Sequence, residues 1–249
     1  MKRVKLVVAY DGTNYCGWQV QPNAVTVEGV LNETLRNFLK EDITVIGASR
    51  TDSGVHAMGN VAVFDTESRM PAEKMSYALN QRLPEDIRIQ CSEEVPLDFH
   101  PRYQECRKTY RYRVVTNEFP NPIKRLHTHF VYRELDLDKI RRAAEYLVGT
   151  HDFKSFCSVN TQVKETVRTI YYIDIKQIED ELVIEVNGNG FLYNMVRIIA
   201  GTLLQVGMGA IKPEEIPGIL EAKDRTKAGP TAPAKGLMLV AINYIASIK

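Results

Sequence analysis

The sequence predicts an α+β protein with two ferredoxin-like (RRM-like) halves, mainly antiparallel sheets, and helices on one side of each sheet. The order strand, helix, strand, helix, strand occurs once in each half of the 249 residues. Few apolar runs have the pattern of strands buried on both faces, which disfavours a parallel sheet. The proline-containing stretch Pro96–Pro101 is typical of a connector. We therefore expect domains at residues 1–104 and 105–249.

The elements of the first half follow from hydrophobic periodicity. Apolar residues at helical spacing predict a helix over Val27–Leu39. A second helix is expected over Pro71–Leu83, where proline stands at an early position. Short apolar or alternating runs predict four strands. These strands are Lys5–Tyr10, Ile43–Ile46, Val61–Phe64 and Ile87–Cys91.

The second half repeats this logic. A helical stripe begins at Leu137 and is expected to end at Gly149. Further helices are expected over Phe191–Val206 and Ile216–Ala222. Four strands are predicted, the middle two flanking a charged turn at Gln177–Glu181. These strands are Tyr110–Val115, Thr169–Ile175, Leu182–Val186 and Gly236–Tyr244.

Composition narrows the class of protein. Hydrophobic residues at 44% and charged residues at 25% are ordinary for a globular protein. The net charge of +1 neither requires nor excludes a nucleic-acid partner. The four cysteines are scattered without a Cys-x-x-Cys motif, and His127 and His129 lack a partner at metal-ligand spacing. The apolar N-terminal run stops at Asp11, too early for a signal peptide. We expect a cytoplasmic protein with no structural metal and no membrane partner.

The segment joining two predicted strands, Gly47–Asn60, is the strongest candidate for function. A loop that only reverses the chain needs two to five residues, whereas this one has fourteen and contains Arg50, Asp52 and His56. Long ordered loops on strand scaffolds commonly carry function. The alternative is a wide hairpin in which Asp52 caps a local turn through its side chain.

Arg197 is the second candidate. It is the only charged residue in the predicted helix Phe191–Val206, so we expect it to be buried. A buried guanidinium requires a carboxylate, a phosphate or several carbonyl groups as partners. It could form a structural ion pair, reach solvent at the helix edge, or keep a catalytic carboxylate ionised.

The stretch Arg102–Arg113 mixes five basic residues with three tyrosines. Such mixtures occur where proteins bind single-stranded RNA. On a strand, Tyr110 and Tyr112 would share one face, and Arg111 and Arg113 the other. The arginines could then meet phosphates or acidic neighbours. The alternative is an amphipathic strand with solvated arginines and half-buried tyrosines.

Several segments resemble one family in register along nearly the whole chain. They are Tyr10-Asp11-Gly12 with Tyr15 and Gly17-Trp18-Gln19; Arg50-Thr51-Asp52-Ser53-Gly54-Val55-His56-Ala57; Phe99-His100-Pro101-Arg102-Tyr103 with Tyr110-Arg111-Tyr112; Gly149-Thr150-His151-Asp152-Phe153; Asn194-Met195-Val196-Arg197; Ala222-Lys223-Asp224-Arg225; and Thr231-Ala232-Pro233-Ala234. On these residues the chain resembles the tRNA pseudouridine synthase A family. Ser49 departs from the glycine that is common in the family, and this small side chain should leave the chemistry intact.

The resemblance implies an isomerase that converts uridine to pseudouridine at positions 38, 39 and 40 of the tRNA anticodon stem-loop, without a cofactor. It also implies two ferredoxin-like halves meeting in a catalytic cleft, and a homodimer that holds the tRNA.

The resemblance also suggests residue roles. Asp52 would be the catalytic carboxylate, either attacking C1′ of the ribose or removing its 2′ proton, and Arg197 would lower its pKa. Arg50 would fill the space left by the flipped base or hold a flanking phosphate. Tyr110 would stack on the uracil, and Leu237 would pack beneath that ring.

Two other classes remain possible from the residues. A non-catalytic RNA-binding protein of paired RRM-like units would explain the tyrosines and arginines, but not an acidic loop together with a buried arginine. A nucleoside hydrolase or glycosidase would usually need a second carboxylate, and no acidic residue follows Asp52 before Asp65.

Overall fold

The computed structural model describes residues 1–158 and 165–245. By its internal contacts the chain divides into two compact units. The first unit contains Met1–Glu105 and the segment from Met238 onward, and the second contains Cys106–Leu237. The sequence placed residues 105–249 together in the second domain. The last strand groups with the first unit because it pairs there with an interior strand.

The first unit is built on strands β1 (Lys2–Tyr10), β2 (Ile46–Gly47), β3 (His56–Thr66) and β4 (Ile87–Val95). Strand β1 lies between β3 and β4 and is antiparallel to both. The closing strand, Leu237–Tyr244, pairs parallel to β3 through Met238 and Leu239. This pair is parallel in an otherwise mostly antiparallel arrangement with helices on one side.

Helices α1 (Val27–Leu39) and α2 (Ala72–Asn80) belong to the first unit. The side chain of Thr26 caps α1 by accepting a hydrogen bond from the backbone N–H of Gly29 at 3.2 Å. The buried face of α1 carries Val27, Leu31 and Leu35. Alternate residues of β1 are also buried, which shows that one face of this strand is covered. Both helices were predicted from the sequence, and the bounds of α1 match the prediction.

The second unit has strands β5 (Cys106–Val115), β6 (His129–Phe130), β7 (Gly149–Asp152), β8 (Val167–Ile178) and β9 (Glu181–Gly188). The order is β5-β9-β8-β7, with antiparallel neighbours, and β6 lies parallel to β5. With the closing strand counted as β10, the helices are α3 (Leu137–Glu145), α4 (Met195–Gly207) and α5 (Ile216–Ala222).

Several predicted boundaries change. The strand predicted at Ile43–Ile46 is reduced to β2, while β3 begins at His56, so the predicted fourteen-residue loop is only Ala48–Val55. Strands β6 and β7 were not predicted. Gly149, which we expected only to end a helix, starts β7 with φ +112°. The turn between β8 and β9 contains only Glu179 and Asp180, with Glu179 at φ +52°.

Among residues 1–158 and 165–245, no helix has the length and apolar character needed to cross a membrane.

Candidate active site

The loop Ala48–Val55, here called the Asp52 loop, connects β2 to β3. Its first residues are fixed by the strand that follows it. The backbone N–H of Ala48 donates to the carbonyl oxygen of Val61 at 2.7 Å. The side-chain amide of Asn60, which is fully buried, donates to the carbonyl oxygen of Ser49 at 3.0 Å. The start of the loop is therefore tied to β3 by a backbone bond and a side-chain bond.

The residue before Asp52 is held through both its side chain and its backbone. The buried Thr51 hydroxyl hydrogen-bonds to the phenolic oxygen of Tyr10 at 2.7 Å. The backbone N–H of Trp18 donates to the carbonyl oxygen of Thr51 at 3.0 Å. Tyr10 lies at the end of β1, and the indole of Trp18 is fully buried. These contacts leave Thr51 little freedom to move, so they also fix where the Asp52 backbone begins.

The backbone after Asp52 forms a closed turn. The N–H of Val55 donates to the carbonyl oxygen of Asp52 at 3.1 Å, and Gly54 has φ +75°, a conformation that glycine adopts without strain. The Gly54 N–H and the Ser53 hydroxyl both donate to the carbonyl oxygen of Tyr15, each at 3.3 Å. Asp52 is thus flanked on both sides by backbone that the first unit holds in place.

Two glycines let the segment after β1 approach this loop closely. A Cβ atom on Gly12 would lie 2.1 Å from the carbonyl oxygen of Val55. A Cβ atom on Gly17 would lie 2.6 Å from the carbonyl oxygen of Thr51, and Gly17 also has φ +85°. Both positions therefore require glycine. This explains why the Tyr10-Asp11-Gly12 and Gly17-Trp18-Gln19 segments accompany the Asp52 loop.

The side chains of the loop differ in exposure. Asp52 is half-buried, Arg50 is exposed, and Thr51 is buried between them. A half-buried carboxylate on a fixed backbone can be reached by a substrate while its position stays defined. The exposed Arg50 is available to an anionic group outside the protein.

Arg197 lies in the first turn of α4, because the helix begins at Met195 and not at Phe191 as predicted. It is half-buried, so the prediction of a buried guanidinium was wrong. Its Nε donates to the carbonyl oxygen of Ala232 at 2.8 Å, and its Nη1 donates to the side-chain oxygen of Asn194 at 2.8 Å. The N–H of Ala232 donates in return to the carbonyl oxygen of Arg197 at 3.1 Å.

The segment that receives the Arg197 side chain packs directly on the backbone of α4. A Cβ atom on Gly201 would lie 1.8 Å from the carbonyl oxygen of Pro230. A Cβ atom on Gly229 would lie 2.7 Å from the Cα of Thr202, whose hydroxyl accepts the Gly229 N–H at 2.9 Å. The two glycines bring the segment 229–232 against the first half of α4.

Tyr110 lies on β5, opposite Val186 of β9, and is 9% exposed. Its ring contacts Phe191 edge to face, with centroids 5.2 Å apart. Leu237 is 5% exposed at the first position of β10. Both side chains are therefore held in place by packing.

On β5 the arginines are paired with carboxylates and the tyrosines are buried, so the alternative pattern of solvated arginines and half-buried tyrosines is wrong. Arg111 binds Glu185 at 2.8 Å, and Arg113 binds Glu181 at 2.6 Å. Tyr112 is fully buried, and its hydroxyl donates to the carbonyl oxygen of Pro233 at 2.9 Å. Burial raises the pKa of the Tyr112 hydroxyl, while the charge of Arg197 lowers it by a smaller amount. The two arginines meet acidic neighbours, one of the two partners considered for them.

Sequence reasoning missed the residues that hold the candidate side chains. Tyr10, Trp18 and Asn60 fix the Asp52 loop, and Asn194 with Ala232 bind Arg197. The sequence contained only an indirect indication of these supporting residues. Tyr10, Trp18, Asn194 and Ala232 stand in the segments that carry the family resemblance, but nothing in their spacing assigns them a supporting role.

A half-buried carboxylate on a rigid loop, with an exposed arginine two residues before it, is typical of an enzyme acting on an anionic substrate. The family model for tRNA pseudouridine synthase matches residues 6–104 and 143–245. The chain therefore belongs to the tRNA pseudouridine synthase family.

Individual relatives agree with this family. A tRNA pseudouridine synthase A of Ruminiclostridium cellulolyticum is 52% identical over 245 residues, covering 98% of this chain and 100% of that protein. Proteins of the same name from Acetivibrio thermocellus and Thermoanaerobacter sp. are 49% and 48% identical, each covering 98% of this chain and 100% of their own length. The predicted family and its activity, an isomerase converting uridine to pseudouridine in tRNA, are confirmed.

Proposed function

We propose that this chain isomerises uridine to pseudouridine at positions 38, 39 and 40 of the tRNA anticodon stem-loop, with Asp52 as the catalytic carboxylate. The observation that supports this most is the fixation of the Asp52 backbone from both sides, by Thr51 before it and by the closed turn after it. A reacting group gains most from being held in position before the substrate arrives.

The reaction consumes no electrons and no water. The C1′–N1 bond of uridine breaks, the uracil turns within the site, and a C5–C1′ bond forms while the C5 proton is lost and N1 gains one. One proton is exchanged with solvent, and uridine and pseudouridine have the same composition and oxidation state, so no cofactor or metal is part of the proposal. The Asp52 carboxylate could attack C1′ or remove the 2′ proton, and both routes need it ionised.

The other predicted residues complete the proposal. The exposed Arg50 occupies the place of the extruded base or holds a flanking phosphate. The packed ring of Tyr110 stacks on the uracil, and Leu237 lies beneath that ring. Arg197 supplies the positive charge that keeps the pKa of Asp52 low. A dry site would prevent water from diverting the detached uracil toward hydrolysis.

Further predictions belong to this proposal and rest on the family resemblance. They are two ferredoxin-like halves with the catalytic cleft between them, a homodimer that holds the anticodon stem-loop, and a location in the cytoplasm.

Release of tritium from tRNA labelled at uridine C5 tests the reaction, together with chromatography for free uracil. We expect tritium release without free uracil. Free uracil would instead indicate a hydrolase, and tRNA binding with neither product would indicate a binding protein.

The role of Asp52 is tested by Asp52→Ala. We expect tritium release to fall by more than about a thousandfold, while the dissociation constant for tRNA stays within a few-fold of wild type. Asp42, an exposed aspartate of the same unit, provides the matched control Asp42→Ala, which should retain activity. Comparable turnover by Asp52→Ala would remove Asp52 from the mechanism.

A further inference from the structure

The turn 100–104 in the first unit presents an aromatic ring to solvent in a fixed position. The backbone N–H groups of Tyr103 and Gln104 both donate to the carbonyl oxygen of His100, at 3.2 and 3.3 Å. The Arg102 N–H donates to Nδ1 of His100 at 3.2 Å. The ring of His100 stacks on that of Tyr103, with centroids 4.1 Å apart and planes 20° from parallel. Tyr103 is nevertheless 84% exposed.

The residues beside this turn are tied to the rest of the first unit. The phenolic hydroxyl of Tyr244 donates to the carbonyl oxygen of Pro101 at 2.9 Å. The carbonyl oxygen of Phe99 accepts a bond from Arg3 at 2.8 Å, and the Phe99 ring contacts the Tyr244 ring edge to face. A ligand that binds Tyr103 therefore does not have to order this segment first.

The same turn carries a second arginine to the base of the Asp52 loop. Nε of the exposed Arg102 donates to the carbonyl oxygen of Gly47 at 2.7 Å, and Gly47 stands three residues before Arg50. Although Arg102 as a whole is exposed, partial burial of its guanidinium lowers its pKa, and the positive charge of Arg50 lowers it further. Glu28 and Tyr103 raise it by smaller amounts. Arg102 and Arg50 are therefore within electrostatic reach of each other. Two neighbouring positive charges favour an anion between or beside them.

We propose that Arg102 and Tyr103 form a subsite for one unstacked nucleotide next to the target uridine, with Arg102 binding its phosphate and Tyr103 stacking on its base. This inference rests on the proposed function. A guanidinium beside an exposed aromatic ring matches the two constant features of single-stranded RNA, its phosphates and the π-faces of its bases. Unlike Arg111 and Arg113 of β5, Arg102 has no carboxylate among its hydrogen-bond partners in the described part of the chain.

The stacking half is tested by fluorescence anisotropy with a synthetic anticodon stem-loop RNA. We expect Tyr103→Ala to weaken binding by about 5- to 100-fold and Tyr103→Phe to bind within about twofold of wild type. The matched control is Tyr77→Ala, since Tyr77 is an exposed tyrosine of the same unit at 68%. It should bind as wild type does.

A second RNA separates stacking from general attraction. A duplex with the sequence of the stem has no unstacked base, so Tyr103→Ala and wild type should bind it equally. Equal loss on both RNAs, or wild-type affinity of Tyr103→Ala for the stem-loop, would overturn the subsite.

The phosphate half is tested by the salt dependence of stem-loop binding. Arg102→Gln should reduce the slope of log affinity against log salt by about one, whereas the exposed control Arg69→Gln should leave it unchanged. An unchanged slope for Arg102→Gln would contradict the phosphate contact. Tritium release by the wild-type enzyme distinguishes failure of this subsite from failure of the proposed function.

Discussion

The Asp52 loop of the first unit and the segment around Arg197 in the second both involve glycines with no room for a Cβ atom, but they differ in how many buried polar side chains hold the backbone. Around Asp52 the backbone is held largely by hydrogen bonds, several of them from buried polar side chains, Tyr10, Thr51 and Asn60. Around Arg197, the segment 229–232 lies so close to α4 that a methyl group at Gly201 would overlap a carbonyl oxygen.

The difference has energetic consequences. Each buried hydrogen bond contributes about 1 kcal/mol net, and losing one partner strands the other at a cost of about 1–3 kcal/mol. The hydrogen bonds of the Asp52 loop can therefore be removed one at a time, while its close contacts with Gly12 and Gly17 stay in place. A backbone contact without room for a Cβ atom cannot be weakened in small steps. Any side chain larger than that of glycine would push the segment 229–232 away from the helix.

Gly201→Val should have the largest effect, because its side chain would overlap Pro230. We expect a loss of at least about 3 kcal/mol in the free energy of unfolding, or failure of the second unit to fold. Urea unfolding of the purified variant measures this. Gly218→Ala on α5 is the matched control, since no atom lies within 4 Å of the position that its methyl group would take, and it should be neutral or slightly stabilising. Equal stability of the two variants would refute the close contact.

Arg197→Met comes next, and its expected effect is on activity. We expect tritium release to fall about a hundredfold or more, with a smaller loss of stability from the missing bonds to Ala232 and Asn194. Because a positive charge lowers the pKa of a carboxylate, residual activity should require a higher pH than in wild type. Arg225→Met removes an arginine that also binds this region, at Gly229 and Thr231, and should lower stability without moving the pH profile. Full activity of Arg197→Met would contradict the proposed role of the Arg197 charge.

Tyr10→Phe tests whether the loop responds gradually. The change deletes one oxygen and leaves the Thr51 hydroxyl without this partner. We expect kcat to fall about tenfold, KM to stay within about twofold, and stability to drop by about 1 kcal/mol. The exposed Tyr77→Phe is the control. A loss confined to stability, with kcat unchanged, would mean that Tyr10 has no positioning role.

The sequence predicted those helices and strands whose formation depends on residues close together in the chain. Helix α1 was predicted with its bounds because its apolar stripe lies within one short segment, Val27–Leu39. The loop was predicted, but its length was wrong because His56–Asn60 becomes strand only by pairing with β1 and the closing strand. That information lies far away along the chain.

The same limit applies to the candidate site. Asp52 and Arg197 stand out by residue type, but the partners of Arg111 and Arg113 lie on β9, about seventy positions later in the chain. The residue pattern on β5 alone therefore could not show whether these arginines bind phosphates or carboxylates. Likewise, the half-burial of Arg197 depends on α4 starting at Met195, after an Asn194 with φ +60°.

Charge provides the last and smallest contrast, between the Asp52 loop and strands β5 and β9 of the second unit. The hydrogen bonds given above for the Asp52 loop join neutral groups, whereas the second unit places Glu181, 8% exposed at its side chain, against Arg113 and Lys124. Burial raises the pKa of Glu181, but the hydrogen bonds and charges of Arg113 and Lys124 outweigh burial, so its pKa is lower than the ordinary value. The folded state therefore gains stability from this carboxylate above its ordinary pKa, and loses it as the pH falls through the lowered value.

Glu181→Gln should reduce the free energy of unfolding by about 1 kcal/mol at neutral pH, because Arg113 and Lys124 are partly exposed and solvent screens them. The deficit should shrink as the pH is lowered, since the wild-type carboxylate then becomes protonated and loses the same advantage. Urea unfolding of both proteins across the acid range measures this, with the exposed Glu179→Gln in the adjoining turn as the control. If the loss of stability in Glu181→Gln were the same at every pH, the charge of Glu181 would not be its cause. The contrast between neutral hydrogen bonds at the Asp52 loop and a charged group in the second unit would then be wrong.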